Sequence, residues 1–325
     1  MDGVSIFFVL SGFLIGGILF NEFEKNEKNL LFNFWAKRWL RTLPAYYFTL
    51  TFIVCVRLFY DQKFSFDYVE KYYLFIQNFN SIYLSIFGES WSLSVEEWFY
   101  LLIPLLFFIF NKKLQLNIKT TTIIISIGLI IVITLYRYVR FDSIRPETIN
   151  DWNNNFRLLV TTRIDSLMYG VLAAFLKKYY ASIWLKHKGI KFLIGIVLLV
   201  LFSYIPHDFS SMFMSVFFFS IISLSVFLIL PFLESVKRPK NLFIFNLITL
   251  TSITSYSMYL LNECVIKRIF IMDVFTNKIY HHLHLPIGIK YYVDYLLYWF
   301  LIFTLSILMY KYIEQPFIKL RNKVL

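Results

Sequence analysis

Apolar and polar positions alternate along this chain in long blocks rather than residue by residue. GVSIFFVLSGFLIGGILF at 3–20 gives way to a charged connection, and eight further apolar blocks follow in the same manner. A helix needs roughly 20 apolar residues to cross a bilayer. The blocks therefore predict nine transmembrane helices, at 4–20, 44–60, 98–110, 120–135, 160–176, 192–205, 212–232, 243–261 and 291–310. Those at 98–110 and 192–205 are short, and the former is predicted to begin earlier, near Val95. No soluble domain, linker, low-complexity tract or repeat interrupts them. The chain is read as a single domain over 1–325, an all-α, polytopic integral membrane helix bundle.

Composition strengthens this reading. Hydrophobic residues make up 58% of the 325 residues and mean hydropathy is +0.64, more apolar surface than one water-soluble core conceals. The opening block does not read as a secretory signal, because Asp2 is its only early charge and no A-x-A site follows. Cys55 and Cys264 fall in or beside apolar blocks and read as lipid-facing or packing residues, with no disulfide framework.

Charge orients the bundle. The connections 21–43, 111–119, 177–191, 233–242 and 311–325 hold 20 of the 32 Lys and Arg residues in 72 positions. The opposite set holds 10 in 99 positions, with Arg57 and Arg163 inside predicted helices, so the first set is assigned to the cytoplasm by the positive-inside rule. The amino terminus as given is then outside and the carboxyl terminus inside, which predicts a preceding helix that begins in the cytoplasm. The formal charge of +12 is thereby a charge that suits anionic lipid, not nucleic acid.

Several polar stretches carry candidate chemistry. In AKRWLRTLPAYY at 36–47, Arg38 and Arg41 share one helix face just before a predicted span. They suit the phosphates of an activated donor such as acyl-coenzyme A, or serve as headgroup anchors. In GESWSLSVEEWFYLLIPLLFF at 88–108, Ser94 and Glu97 fit a capping box, with Leu93 and Trp98 as its hydrophobic staple. Glu96 is left over by that account, which makes it the candidate for a role in the membrane interior. Arg163 and Asp165 in TTRIDSLMYGVLAAFL stand two residues apart, do not share a helix face, and predict a separate partner for each. The polar positions of SITSYSMYLLNECVIKR at 252–268, among them Tyr256 and Asn262, either join helices or line a polar cavity. His281, His282 and His284 form a short cluster without an acidic partner, read as an interfacial loop, and no metal site is predicted. No GxSxG, HExxH, P-loop or dinucleotide fingerprint is present.

In this order, GVSIFFVLSGFLI at 3–15, Arg38 and Arg41, WSLSVEEWFYLLIPLL at 91–106, RIDSLMYGVLAA at 163–174, SYSMYL at 255–260 and YIEQPF at 312–317 resemble the acyltransferase-3 family of membrane acyltransferases. The resemblance covers nearly the whole chain. It implies a ten-helix membrane enzyme that moves an acyl group, often acetyl, from cytoplasmic acyl-coenzyme A. The implied acceptor is a hydroxyl of a cell-surface or exported glycan such as lipopolysaccharide, peptidoglycan or exopolysaccharide, or of a glycolipid. It implies no permanently bound cofactor and a bacterial cytoplasmic membrane. Carried over, Arg38 and Arg41 bind the donor and Glu96 is catalytic. Arg163, Asp165, Tyr256 and Asn262 form the acceptor-side polar network, and Glu314 and Pro316 end the last helix.

Two departures accompany the resemblance. The family carries a histidine, taken as catalytic base, in a helix before the FFVLSGFLI segment, and a second histidine often stands where this chain has Asn262. A fused extracytoplasmic domain found in some relatives is not expected after Leu325. Two alternatives stay open: an inactive or partner-dependent fragment, and a transporter or lipid-handling protein on the same scaffold.

Overall fold

The computed structural model describes residues 3–25, 29–60, 64–83, 85–204, 208–279 and 287–324, and these contain helices and no strand. The long helices are α1 (Gly3–Lys25), α2 (Leu30–Tyr60), α4 (Ser90–Phe108), α5 (Ile118–Ile144), α13 (Leu242–Leu261) and α14 (Ile287–Met309). Between them lie the short α3 (Val69–Tyr73), α6 (Ile149–Trp152), α7 (Val160–Arg163), α9 (Ala181–Leu185) and α11 (Met212–Val216). The intermediate helices are α8 (Asp165–Tyr179), α10 (Lys188–Tyr204) and α12 (Phe218–Glu234), and α15 (Gln315–Val324) closes the order. Each of the nine predicted blocks is helical. Six described helices are long and apolar enough to span a membrane. A seventh is reached if the pair Ile149–Arg157 and Val160–Tyr179, bent by 82°, makes one broken span. The difference from nine arises because 160–176 is one limb of that pair, while α10 and α12 have 17 residues each.

The chain divides into two compact units. Unit 1 comprises Met1–Trp35, Phe75–Tyr83 and Trp91–Lys237, and unit 2 comprises Ala36–Leu74, Leu84–Ser90 and Arg238–Leu325.

Within unit 1, α1 and α8 pack with their backbones almost touching. A Cβ at Gly12 would stand 1.9 Å from the Leu167 carbonyl oxygen, and one at Gly170 would stand 2.1 Å from that of Val9. Small residues at a helix interface permit such approach where lipid offers no hydrophobic drive to association. The loop 77–80 fixes the break between α6 and α7. Asn78 donates through Nδ2 to the carbonyls of Trp91 (2.9 Å) and Leu158 (2.6 Å), and its own carbonyl accepts from Val160 N–H at 3.0 Å.

This loop also overturns the predicted capping box. α4 begins at Ser90, a turn before Ser94, so Ser94 and Glu97 lie inside the helix. The Ser94 hydroxyl accepts from Gln77 Nε2 at 2.6 Å instead of capping its own helix. The staple of Leu93 with Trp98 loses its basis too: the Trp98 indole N–H donates to the Phe75 carbonyl at 3.0 Å. A tertiary partner outcompeted the local motif.

Within unit 2, α13 organises its neighbours. Four of its hydroxyls bond their own helix: Thr249, Thr251 and Thr254 each donate to the carbonyl four residues back, and Ser255 to that of Ser252. Past Leu261 the helix continues with wider, π-type turns over Asn262–Ile279, a departure that often accompanies functional positions.

Candidate functional site

In unit 1 the break at Ile164 leaves Arg163 at the end of α7 and Asp165 at the start of α8. Asp165 thereby sits at a helix amino terminus, where the macrodipole favours a carboxylate. Its Oδ2 accepts from Arg137 Nη2 at 2.7 Å, with both side chains fully buried. Arg137 also donates to Thr134 Oγ1 (3.2 Å), Ser220 Oγ (2.8 Å) and the Thr162 carbonyl (3.3 Å). A buried charge is tolerated when it is paired and hydrogen-bonded in this way. Arg163 turns elsewhere. It donates to Ser5 Oγ at 2.6 Å, and its guanidinium lies 3.9 Å from the Phe219 ring centroid, with Phe8 and Trp91 at 5.5 and 5.9 Å. The hydrogen bonds from Arg137 and to Ser5 thus go to different groups, although Asp165 also feels the charge of Arg163, and Arg137 is a member of the network that the sequence reading did not single out.

Glu96 is buried in α4, 4% exposed. It follows Ser92 and precedes Tyr100 at four-residue spacing, so the three share one face. That face meets α1, because the Tyr100 and Ser11 hydroxyls are hydrogen-bonded at 2.8 Å.

Unit 2 gathers Arg38, Arg41 and Tyr256. The two arginines lie within the continuous α2 rather than before its start, Arg38 half-buried and Arg41 exposed. The Tyr256 hydroxyl donates to the carbonyl of Thr42, next to Arg41, at 2.9 Å. Ser257, one residue on, donates to the buried carboxylate of Glu314, which also feels the charge of Arg41. Arg321 lies within the field of both Arg38 and Arg41. Glu314 is therefore part of the polar cluster beside the arginine pair; neither it nor Pro316 ends the last helix, which runs on through Tyr310–Glu314 and Gln315–Val324. Asn262 Oδ1 accepts from the Tyr298 hydroxyl at 2.7 Å.

A second unit 2 cluster had no sequence signal. Glu89 accepts from the Cys264 backbone N–H and from its thiol, both at 2.9 Å, and the Tyr259 hydroxyl donates to the Glu89 carbonyl at 2.8 Å. Burial pushes the Glu89 carboxyl above the usual carboxylate range, against the lowering by the Cys264 donors. Cys264 is thus a hydrogen-bonded, buried residue, whereas Cys55 is exposed. His281, His282 and His284 lie outside the described residues.

Bilayer-length helices that bury guanidinium and carboxylate groups define a polytopic membrane protein with a polar interior. The family follows from comparison with known proteins. The acyltransferase-3 model, described as an acyltransferase domain, matches residues 3–311, and the chain belongs to that family. Among curated proteins, it is 35% identical over 144 residues to the peptidoglycan O-acetyltransferase OatA of Listeria monocytogenes, a match covering 39% of this chain and 23% of that protein. It is 31% identical over 191 residues to the O-acetyltransferase OatA of Staphylococcus aureus, covering 54% of this chain and 30% of that one. The matched stretch spans less than a third of either relative. No solved structure matches the chain.

Proposed function

We propose that this protein is a membrane O-acyltransferase that moves an acyl group, acetyl first among the candidates, from acyl-coenzyme A to a hydroxyl of a cell-envelope glycan. The observation that carries the reading is the family match over residues 3–311. The names of the OatA relatives support acetyl as the group and peptidoglycan as the first acceptor to test. The distribution of Lys and Arg supports a bacterial cytoplasmic membrane with the carboxyl terminus inside and the amino terminus as given outside.

In this reading unit 2 serves the donor. Arg38 and Arg41 hold its phosphates, since guanidinium forks match phosphate oxygens bidentately. Tyr256 fixes the α2 backbone beside them, and Glu314 steadies Arg41. Other residues serve the acceptor. A glycan hydroxyl is a weak nucleophile, so its attack on the thioester carbon requires a proton acceptor, and Glu96 is assigned that role. The C–O bond forms as the C–S bond breaks, and the proton taken by Glu96 leaves on the coenzyme A thiol. Arg163 and Asp165, locked through Ser5 and Arg137, orient the acceptor, and Asn262 contributes an amide to its binding.

The test is acyl transfer in membrane vesicles supplied with acetyl-coenzyme A labelled in its acetyl group. Base-labile label on glycan, present with this protein and lost in Glu96→Gln at equal protein level, is the expected result. Transport of a solute with no label on glycan would replace the enzyme reading with a transporter.

A further inference from the structure

Hydrogen bonds at the far end of α5 converge on one oxygen in unit 1. Asn80 Oδ1 accepts from the Tyr136 hydroxyl at 2.7 Å, Arg140 Nη1 at 3.0 Å and Thr161 Oγ1 at 3.3 Å. Arg140 donates further to the Tyr136 hydroxyl (3.0 Å), the Asn155 carbonyl (2.8 Å), Asn155 Oδ1 (3.2 Å) and the Asn80 carbonyl (3.4 Å). Every one of these acceptors is neutral. Among the described residues no carboxylate pairs with Arg140, so its guanidinium is fixed in place with its charge uncompensated.

Below this cluster lies an apolar cleft of about 430 Å³, with Asn80, Tyr136 and Thr161 at its polar end. Leu102 and Leu106 of α4, Leu129, Val132 and Ile133 of α5, and Ile164 line the rest. Val132 and Phe79 are exposed at its edge, so it opens toward the hydrocarbon around the bundle. From Leu129 to Arg140 the helix rises about 16 Å, at about 1.5 Å per residue. One leaflet of a hydrocarbon core about 30 Å thick is about 15 Å deep. The span from Leu129 to Arg140 therefore matches the distance from the inner end of one leaflet's acyl chains to its headgroups.

We propose that this cleft is a binding site for a single anionic phospholipid, with one acyl chain lying between α4 and α5 and the phosphate seated at Arg140, Asn80 and Tyr136. A sugar would leave its hydroxyls unsatisfied against such a lining. A zwitterionic lipid gains less from the isolated positive charge. The lipid tail braces Ile164, the residue between Arg163 and Asp165, and so stabilises the α7–α8 break by binding only the folded form. The site does not depend on the acyltransferase reading.

Native mass spectrometry of the full chain in neutral detergent tests it, using phosphatidylglycerol and phosphatidylcholine of identical chains as probes. The expected result is one retained phosphatidylglycerol, preferred at least tenfold over phosphatidylcholine. Arg140→Gln abolishes the preference, and Ile133→Trp, which fills the cleft without changing charge, abolishes retention of either lipid. Thermal midpoints run in parallel: phosphatidylglycerol raises that of the wild type more than phosphatidylcholine does, and raises neither variant's. Should one variant fail to fold in lipid-free detergent, the other and the wild-type preference decide. Equal retention of the two lipids by the wild type, or an undiminished phosphatidylglycerol adduct in a folded variant, overturns the proposal.

Discussion

The two units bury ionisable groups by different means. Unit 1 holds a buried ion pair: Arg137 and Asp165 meet at 2.7 Å with both side chains fully buried, and hydroxyls and a carbonyl from α5, α7 and α12 surround the guanidinium. Unit 2 sets its carboxylates against neutral donors, Ser257 for Glu314 and Cys264 for Glu89. Its arginines at 38 and 41 stay half-buried or exposed. Paired charge is costly to bury and costlier to break, which suits a fixed scaffold. Guanidinium groups left accessible beside a neutral-donor cluster suit a ligand that brings its own negative charge. The difference separates a buried, paired centre from arginines that remain accessible.

Asp165→Asn breaks unit 1 where the comparison says it is most fragile. It leaves Arg137 buried without a counter-charge and is expected to cost about 3–5 kcal/mol, read as loss of folded protein in a detergent thermal scan. Arg137→Gln combined with Asp165→Asn is expected to cost less than the sum of the two single changes, because the double variant buries no orphan charge. Additive costs would show that the pair is not coupled.

Gly170→Ala comes next. Its Cβ would meet the Val9 carbonyl oxygen at 2.1 Å and Phe13 N at 2.4 Å, both backbone atoms that side-chain motion cannot clear. Overpacking of this kind costs about 1–3 kcal/mol, and crosslinking between α1 and α8 should fall with it. Gly17→Ala, which has nothing within 4 Å, is the control expected to be silent.

How much of this was legible before the fold was known depends on the distance over which each feature is set. Nine apolar blocks each became helix, since block length and hydropathy are local properties. Different hydrogen-bond partners for Arg163 and Asp165 were legible from their two-residue spacing, but the break at Ile164 that puts them on different helices was not. Arg137 was not: it reads as one more basic residue among those on the predicted outer side, and only the packing of α5 against α8 buries it. The Ser94–Glu97 pattern misled for a related reason, since Gln77, 17 residues away, took the serine. Glu89 and Cys264 are 175 residues apart, and no local pattern joins them.

Smaller effects sharpen unit 2. Tyr256→Phe removes one hydrogen bond to the Thr42 carbonyl, worth about 1 kcal/mol, and is expected to raise the KM for the acyl donor several-fold with little change in kcat. An unchanged KM would detach Tyr256 from donor binding.

The smallest effect is a pH dependence at Glu89. Burial raises its carboxyl above the ordinary value of 4.5, so the fold favours the protonated form. That contribution is present in acid and is lost as pH rises from about 4.5 through the raised value. Glu89→Gln, neutral throughout, should flatten the fall of the thermal midpoint over that range. An equally steep fall in the variant would place the dependence on another group.

The most direct measurement of the central claim is donor-dependent acyl transfer by the Arg38→Gln, Arg41→Gln double variant in membranes. Transfer of labelled acetyl to glycan should drop to background while the protein inserts and accumulates at the wild-type level. Undiminished glycan acylation by the double variant would contradict the assignment of unit 2 as the donor-binding part of an acyltransferase.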